Sequence, residues 1–237
     1  MEPRLEAELE VARRQPEEYV RMLYRLVLRR EPEPAALARS AGMLADGTLS
    51  RAPLLAELVG DEEFGRVRSL DDAVAYAAWA RGAGERPRGL RAPPGDERPV
   101  EIAWCLSRYR GEPAVLDAGY AFAEPAYQAA LVGLGATRLA GVDLARADVP
   151  GLEPVEADLR RLPFGRREFD VVFCISTVEH VGLDNERYGI ASGGGGREQA
   201  LRELRRVGRR LLITVPCGEP GEHGWFVQHD PDGWLRD

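Results

Sequence analysis

The chain has 237 residues, enough for one medium domain beside a smaller one, and 44% of them are hydrophobic, which is enough to build cores. Its 39 acidic and 32 basic residues give a formal net charge of −7, which argues against a nucleic-acid partner gripped through its phosphates, because such proteins carry a basic face. No run of about 18 apolar residues is present to span a membrane. The opening Met1-Glu2-Pro3-Arg4-Leu5-Glu6 has neither the basic nor the apolar stretch of a signal peptide, so a cytoplasmic protein is expected.

All of the 32 basic residues are arginine. Without lysine the chain cannot form the Schiff base of a pyridoxal-phosphate enzyme, the Gly-Lys-Ser/Thr of a P-loop or the Tyr-x-x-x-Lys pair of a short-chain dehydrogenase. Cys105, Cys174 and Cys217 lie far apart with no Cys-x-x-Cys spacing. They are expected to be reduced and buried, with neither a disulfide framework nor a structural metal site.

In chain order, Pro16 suits the first turn of a helix whose Val20, Leu23, Tyr24 and Val27 recur at the spacing of one buried face. Glu31-Pro32-Glu33-Pro34 breaks it, Pro34 opens a second helix through Leu37 and Met43-Leu44, and Asp46-Gly47 turns the chain. Ser50 is the expected N-cap of a third helix carrying Leu54, Leu55 and Leu58. The stretches Tyr19 to Arg25, Leu28 to Glu33, Gly47 to Ser50 and Glu62-Glu63-Phe64 resemble a short helical domain of unknown function that recurs in bacterial surface-layer, exported and glycosyltransferase-linked proteins. That resemblance implies no chemistry of its own, only an accessory bundle for docking or dimerisation. Residues 81–98, rich in Gly, Pro and charge, read as a linker between a helical domain at 1–80 and a second domain at 99–237.

Beyond the linker, strands and helices alternate, the pattern of a parallel sheet with crossover helices. Ala114 to Asp117, Arg138 to Asp143, Pro154 to Glu156, Phe169 to Ile175 and Leu211 to Val215 read as five strands. One helix is expected from Glu124 to Leu134, and a later one presents Ala200, Leu201, Leu204 and Val207 on one face. Ligands of such sheets bind beyond the carboxyl ends of the strands, where this chain places Asp117 and Gly119 after the first strand, Asp143 after the second and Asp158 after the third. A carboxylate after strand two can accept hydrogen bonds from ribose hydroxyls, one after strand three can face an adenine amine, and one nearer the reacting end favours a cationic ligand. A lone loop aspartate commonly just caps a turn, but three around one crevice point to a site.

The segments VLDAGYAFAEPAY (115–127), GVDLAR (141–146), ADLRRLPF (157–164) and FDVVFCISTVEHVGL (169–183), with Tyr188-Gly189 and LLITVPCGEP (211–220), resemble the class I S-adenosylmethionine-dependent methyltransferases, in particular a bacterial subgroup associated with surface-polysaccharide or glycan genes. The resemblance implies an α/β, Rossmann-like sheet preceded by a small all-α domain. It also implies S-adenosyl-L-methionine as cofactor, held by Asp117, Gly119, Tyr120, Asp143, Leu144, Asp158, Leu159, Cys174 and Ser176. The acceptor would be a small molecule or glycan-linked group. Two departures stand out. Ala121 and Ala123 occupy positions where the family carries glycines, which hinders a dinucleotide laying its pyrophosphate on the loop more than a cofactor without phosphate. The family also continues past the equivalent of Asp237 through a helix and two strands, so the chain reads as short at its C-terminus. Its fifth strand is then expected to be an exposed edge prone to self-association, as the N-terminal helices are.

Methyl transfer is an in-line displacement governed by orientation, with a base needed only where the acceptor must lose a proton. His180, just past the fourth strand, is the candidate base and Glu179 the residue to orient it, with packing or capping as the alternative for both. Ser176 and His180 lie too close in sequence, with no Gly-x-Ser-x-Gly elbow, for a hydrolase triad. His223, His229 and Asp230 match no metal spacing and fall in a stretch, 221–233, that reads as a loop. The polar insert with Asn185 to Tyr188 and Gly193 to Gly196 reads as a lid or a linker. Three functions stay open at this level: a methyltransferase, a nucleotide-dependent oxidoreductase, which the glycine loop and the missing lysine disfavour, and a non-catalytic methyltransferase-like binding module.

Overall fold

A computed structural model describes residues 12, 15–85, 96–183 and 196–236. By internal contacts the chain divides into two compact units, Met1–Asp71 and Asp72–Asp237. Of the stretch read as a linker, residues 86–95 lie outside the described residues, and residues 81–83 close a long helix instead.

The first unit is helical: α1 (Pro16–Leu23), α2 (Pro34–Ala45), α3 (Arg51–Gly60) and the start of α4 (Glu62–Ala83), an element the sequence reading did not assign. Prolines occupy the first turns of α1 and α2, where a missing N–H costs nothing. Ser50 does sit at the N-cap of α3 with extended backbone, but its side chain makes no capping hydrogen bond. The buried face of the first helix is Val20, Leu23, Tyr24 and Leu28, with Val27 only half-buried. The reason is local: Tyr24–Leu28 is a π-helical turn, whose wider i to i+5 spacing rotates the face by one residue. These side chains meet Leu37, Ala41, Leu54 and Leu58 in one core. Arg30 ties the bundle together by donating Nε and Nη2 to the carboxylate of Glu63 at 2.5 and 2.8 Å, a forked pair.

The second unit is a three-layer α/β domain. Its sheet has β1 (Ala114–Ala118), β2 (Arg138–Asp143), β3 (Glu153–Glu156), β4 (Phe169–Ile175) and β5 (Gly208–Thr214), all parallel, in the order β3-β2-β1-β4-β5. The order reverses between β1 and β4, which is where a crevice opens in such sheets. Helix α5 (Arg98–Leu106) precedes β1, α6 (Pro125–Val132) links β1 to β2, and α7 (Arg197–Val207) links β4 to β5. Strand residues Leu116, Val142, Phe169 and Val172 meet Ala200, Leu204 and Val207 of α7 in the main core. The fifth strand begins at Gly208, three residues before its expected start and directly after α7. A Cβ there would stand 2.6 Å from Val172 Cγ2, so only glycine lets helix turn into strand with no loop between. Among the described residues β5 pairs with β4 alone.

After β5 the stretch read as a loop folds into a two-stranded antiparallel hairpin, β6 (Gly221–Glu222) and β7 (Val227–Gln228), and a short helix α8 (Pro231–Arg236). Cys105 and Cys174 are buried free thiols as expected, whereas Cys217 at the foot of this hairpin is exposed. Among the described residues no helix is long and apolar enough to cross a membrane.

Candidate functional site

A cavity of about 330 Å³ opens at the carboxyl ends of β1 to β4, a volume within the range of about 300 to 1,000 Å³ common for small-ligand sites. Asp117 reaches it from β1, with a side chain that is 2% exposed. Burial pushes its carboxyl up to about 7, and neighbouring Asp143 pushes the same way, while the hydroxyl of Tyr127 on α6 opposes them by donating a 2.6 Å hydrogen bond to Oδ1.

Gly119, at the next turn, has φ +98°, and a Cβ on it would stand 2.2 Å from Thr177 Oγ1. Gly119 is therefore required by the approach of β1 to β4. Thr177 fills the space by donating to Ala118 O at 3.2 Å or Ile175 O at 2.9 Å. Ala121 uses its backbone N–H to donate to Asp143 Oδ2 at 3.0 Å, and Leu144 N donates to Oδ1 at 2.7 Å. Asp143 is thus clamped at the end of β2, 6% exposed and lining the cavity.

Asp158 lines the cavity as well, yet Arg160 engages both its oxygens, with Nε at 3.0 Å from each and Nη2 at 2.6 Å from Oδ2. Those hydrogen bonds hold the Asp158 carboxyl below its ordinary value. The cavity therefore meets this carboxylate already paired.

Of the residues that the family resemblance assigned to the cofactor, Asp117, Gly119, Asp143, Leu144, Asp158, Leu159 and Ser176 line the cavity together with His180. Tyr120, Cys174 and Glu179 do not. Tyr120 is fully buried beside Gly141, and its hydroxyl donates to Ala147 O at 3.1 Å and accepts from Ala147 N at 3.0 Å, so it anchors the loop after β2. Cys174 points into the core from β4, where burial pushes its thiol far above the ordinary value.

Glu179 stands beside His180 without a hydrogen bond between their side chains. The two side chains approach only to 3.8 Å, too long for a hydrogen bond. Glu179 is 2% exposed, its Oε2 has no hydrogen-bond partner among the described residues, and burial raises its carboxyl to about 8. The hairpin also meets His180: Nδ1 lies 2.6 Å from Trp225 O, and the Trp225 ring stacks on the imidazole at 4.8 Å and 14°. A carbonyl only accepts, so Nδ1 carries the hydrogen and a neutral His180 has its basic lone pair on Nε2.

Sequence reasoning missed the contribution of α5, whose Arg98 and Ile102 line the cavity and whose Glu101 binds Ser176 from below. The available signal was Pro99 in a first turn followed by Ile102, Ala103, Cys105 and Leu106, but residues 81–98 had been read as linker up to its edge. Trp225, Phe122 and Glu124 were missed too, being loop residues with no periodicity to mark them. His223 and His229 do not line the cavity; His223 stacks on Phe226 and His229 Nε2 lies 3.1 Å from Arg197 Nη1. Among the described residues no group of three or more His, Cys, Asp and Glu could hold a metal ion. The insert 184–195 lies outside the described residues, and the lid reading with it.

No curated protein matches the chain. Similar solved structures include the YcgJ protein of Bacillus subtilis, at 15% identity over 58% of this chain and 65% of that one, with a TM-score of 0.44. A complex between the Haloferax volcanii Trm112 methyltransferase activator and a methyltransferase gives 16% identity, 73% and 70% coverage and 0.41. The cyclase SpnF gives 15%, 73% and 70%, and 0.44. This chain thus spans just under two thirds, 65%, of the length of YcgJ. Residues 8–67 match the family model described as a domain of unknown function (DUF4214). Residues 116–211 match the family model described as a methyltransferase domain, a stretch that takes in every lining residue from Asp117 to Leu183 and leaves α5 and the Trp225 hairpin outside it.

Proposed function

We propose that the chain is an S-adenosyl-L-methionine-dependent methyltransferase acting on a small-molecule or glycan-linked acceptor in the cytoplasm, with residues 99–237 as the catalytic domain and 1–80 as an accessory bundle for docking or dimerisation. The observation that carries this reading is the row of carboxylates along one cavity: Asp158 beyond β3, Asp143 at the end of β2 and Asp117 in β1. The donor set fits the cofactor. Asp143 lines the cavity at the end of β2, where a carboxylate can accept from ribose hydroxyls. Asp117 is a carboxyl held near neutrality by burial, and a cation beside it favours its ionised form.

The bound cofactor would supply an electrophilic methyl on a sulfonium, so that attack by the acceptor forms one bond to carbon while the carbon–sulfur bond breaks and its electron pair returns to sulfur. What the protein supplies is orientation, through the clamped Asp143 and the glycine-tight turn at Gly119. For a hydroxyl acceptor, His180 Nε2 takes the proton, with Nδ1–H anchored on Trp225 O. Calorimetric titration tests the reading: S-adenosylhomocysteine should bind and NAD should not. Absence of S-adenosylhomocysteine binding would reject it.

A further inference from the structure

Ser176 has φ +42° and is one of three described non-glycine residues with positive φ. That region is unfavourable for any residue with a Cβ, and glycine would occupy it without strain. Its counterparts Arg29 and Arg167 sit at a helix end and in a surface turn, but Ser176 lines the cavity at the end of β4. Strain kept at a ligand-facing position suggests that the side chain is used.

The hydroxyl of Ser176 lies 2.8 and 2.7 Å from the two carboxylate oxygens of Glu101, which is 8% exposed on α5. In its ionised form Glu101 accepts only, and the serine hydrogen is then committed to it. What Ser176 Oγ can offer the cavity is then lone pairs, made more negative by the carboxylate behind them. Burial raises the Glu101 carboxyl above its ordinary value and Glu97 pushes the same way, while the Ser176 hydrogen bond and Arg98, 3.8 Å away, favour the charged form. Arg98 also donates Nη1 to Ile175 O at 3.3 Å, fixing the strand end that carries the serine.

The sheet order sets the direction of the ligand. Were the adenosine held over Asp143 and Asp158 at β2 and β3, as the proposed function has it, the cavity left for the rest of the molecule would run past β1 to the end of β4, where Ser176 lines it. We infer that Glu101, acting through Ser176, is a positioning residue for the α-ammonium of S-adenosylmethionine, an assignment that rests on the proposed function. The serine is the contact, and Glu101 decides that the contact is an acceptor. With glutamine at this position the amide N–H₂ can donate to Ser176 Oγ, freeing the serine hydrogen to point at the ammonium and reversing the polarity of the contact.

The test compares two ligands in the full chain: S-adenosylhomocysteine, which carries the ammonium, and 5′-methylthioadenosine, which has the adenosine and sulfur but no amino-acid end. Glu101→Gln and Ser176→Gly should each weaken S-adenosylhomocysteine at least tenfold and leave 5′-methylthioadenosine within twofold. Ser176→Gly also relieves the backbone, so its loss cannot come from misfolding, and retained 5′-methylthioadenosine binding shows that Glu101→Gln is folded. Unchanged S-adenosylhomocysteine affinity in the variants, or equal weakening of both ligands, overturns this inference alone. A wild-type protein that binds neither ligand overturns it together with the reading beneath it.

Discussion

The Tyr127 hydroxyl donates a 2.6 Å hydrogen bond to Asp117 Oδ1 where both side chains are buried, the tyrosine 3% and the aspartate 2% exposed. This bond is what keeps the Asp117 carboxyl from rising beyond about 7 against the desolvation around it. Tyr127→Phe leaves a buried carboxyl without that donor, which should cost about 1 to 3 kcal/mol of folding stability and move the Asp117 titration upward. Denaturant unfolding and carboxyl-carbon NMR titration read the two effects. A variant as stable as wild type would show that Asp117 has another partner in solution.

The raised carboxyls also set a pH dependence. Asp117 at about 7 and Glu179 at about 8 both lie above their ordinary values of 3.8 and 4.5. Above the ordinary values the unfolded chain releases these protons while the folded chain keeps them. Their contribution is therefore fully present below about pH 4 and is lost as pH rises through about 7 to 8. The lowered carboxyls of Asp158, Glu168 and Glu203 act in the opposite direction, below their ordinary values. Ligand-free stability should thus fall between pH 5 and pH 8, and Asp117→Asn with Glu179→Gln should flatten that slope. Denaturation curves across this window that fall as steeply in the double variant would refute the assignment to these two groups.

Much of the sheet was legible from the residues because its central strands are buried on both faces, so Ala114 to Asp117 and Phe169 to Ile175 read as largely apolar runs. Asp117 and Asp143 were legible for the same reason, each being the first charge after such a run. What was lost came from three physical sources. A π-helical turn at Tyr24–Leu28 shifted the buried face from Val27 to Leu28, and nothing in the residue types announces that turn. Strands as short as Gly221–Glu222 and Val227–Gln228 have no period to detect, so the hairpin that holds His180 was invisible. Helix α5 was hidden by its position beside a Pro-rich charged stretch, and with it Glu101, whose burial under Ser176 depends on a contact 75 residues away in sequence.

Asp143→Ala tests the ribose contact. The carboxylate also ties the loop at Ala121 to β2, so the variant loses a little stability as well as a ligand contact. For S-adenosylhomocysteine the loss should be at least tenfold, about 1.4 kcal/mol or more. Asp143→Asn keeps one carbonyl acceptor and should fall between the two, and calorimetry on all three proteins checks the order. Equal affinities would remove Asp143 from the site.

The last prediction separates His180 from Glu179, neighbours in sequence with different surroundings. If His180 is the base, His180→Ala should lower turnover by about a hundredfold or more on a hydroxyl acceptor while S-adenosylhomocysteine affinity stays unchanged. Glu179 stands 3.8 Å from the imidazole, beyond hydrogen-bond reach, with its carboxyl raised by burial, so Glu179→Gln should keep turnover within about threefold. Trp225→Ala retains the backbone carbonyl that anchors Nδ1 but removes the stacked ring, an aromatic contact contributing about 0.5 to 1.5 kcal/mol. It should therefore give an intermediate loss, because the imidazole keeps its tautomer and loses only its restraint. If Glu179→Gln falls as far as His180→Ala, the imidazole takes its orientation from the carboxylate rather than from the hairpin. If His180→Ala turns over normally, the histidine is a packing residue that the Trp225 ring happens to cover.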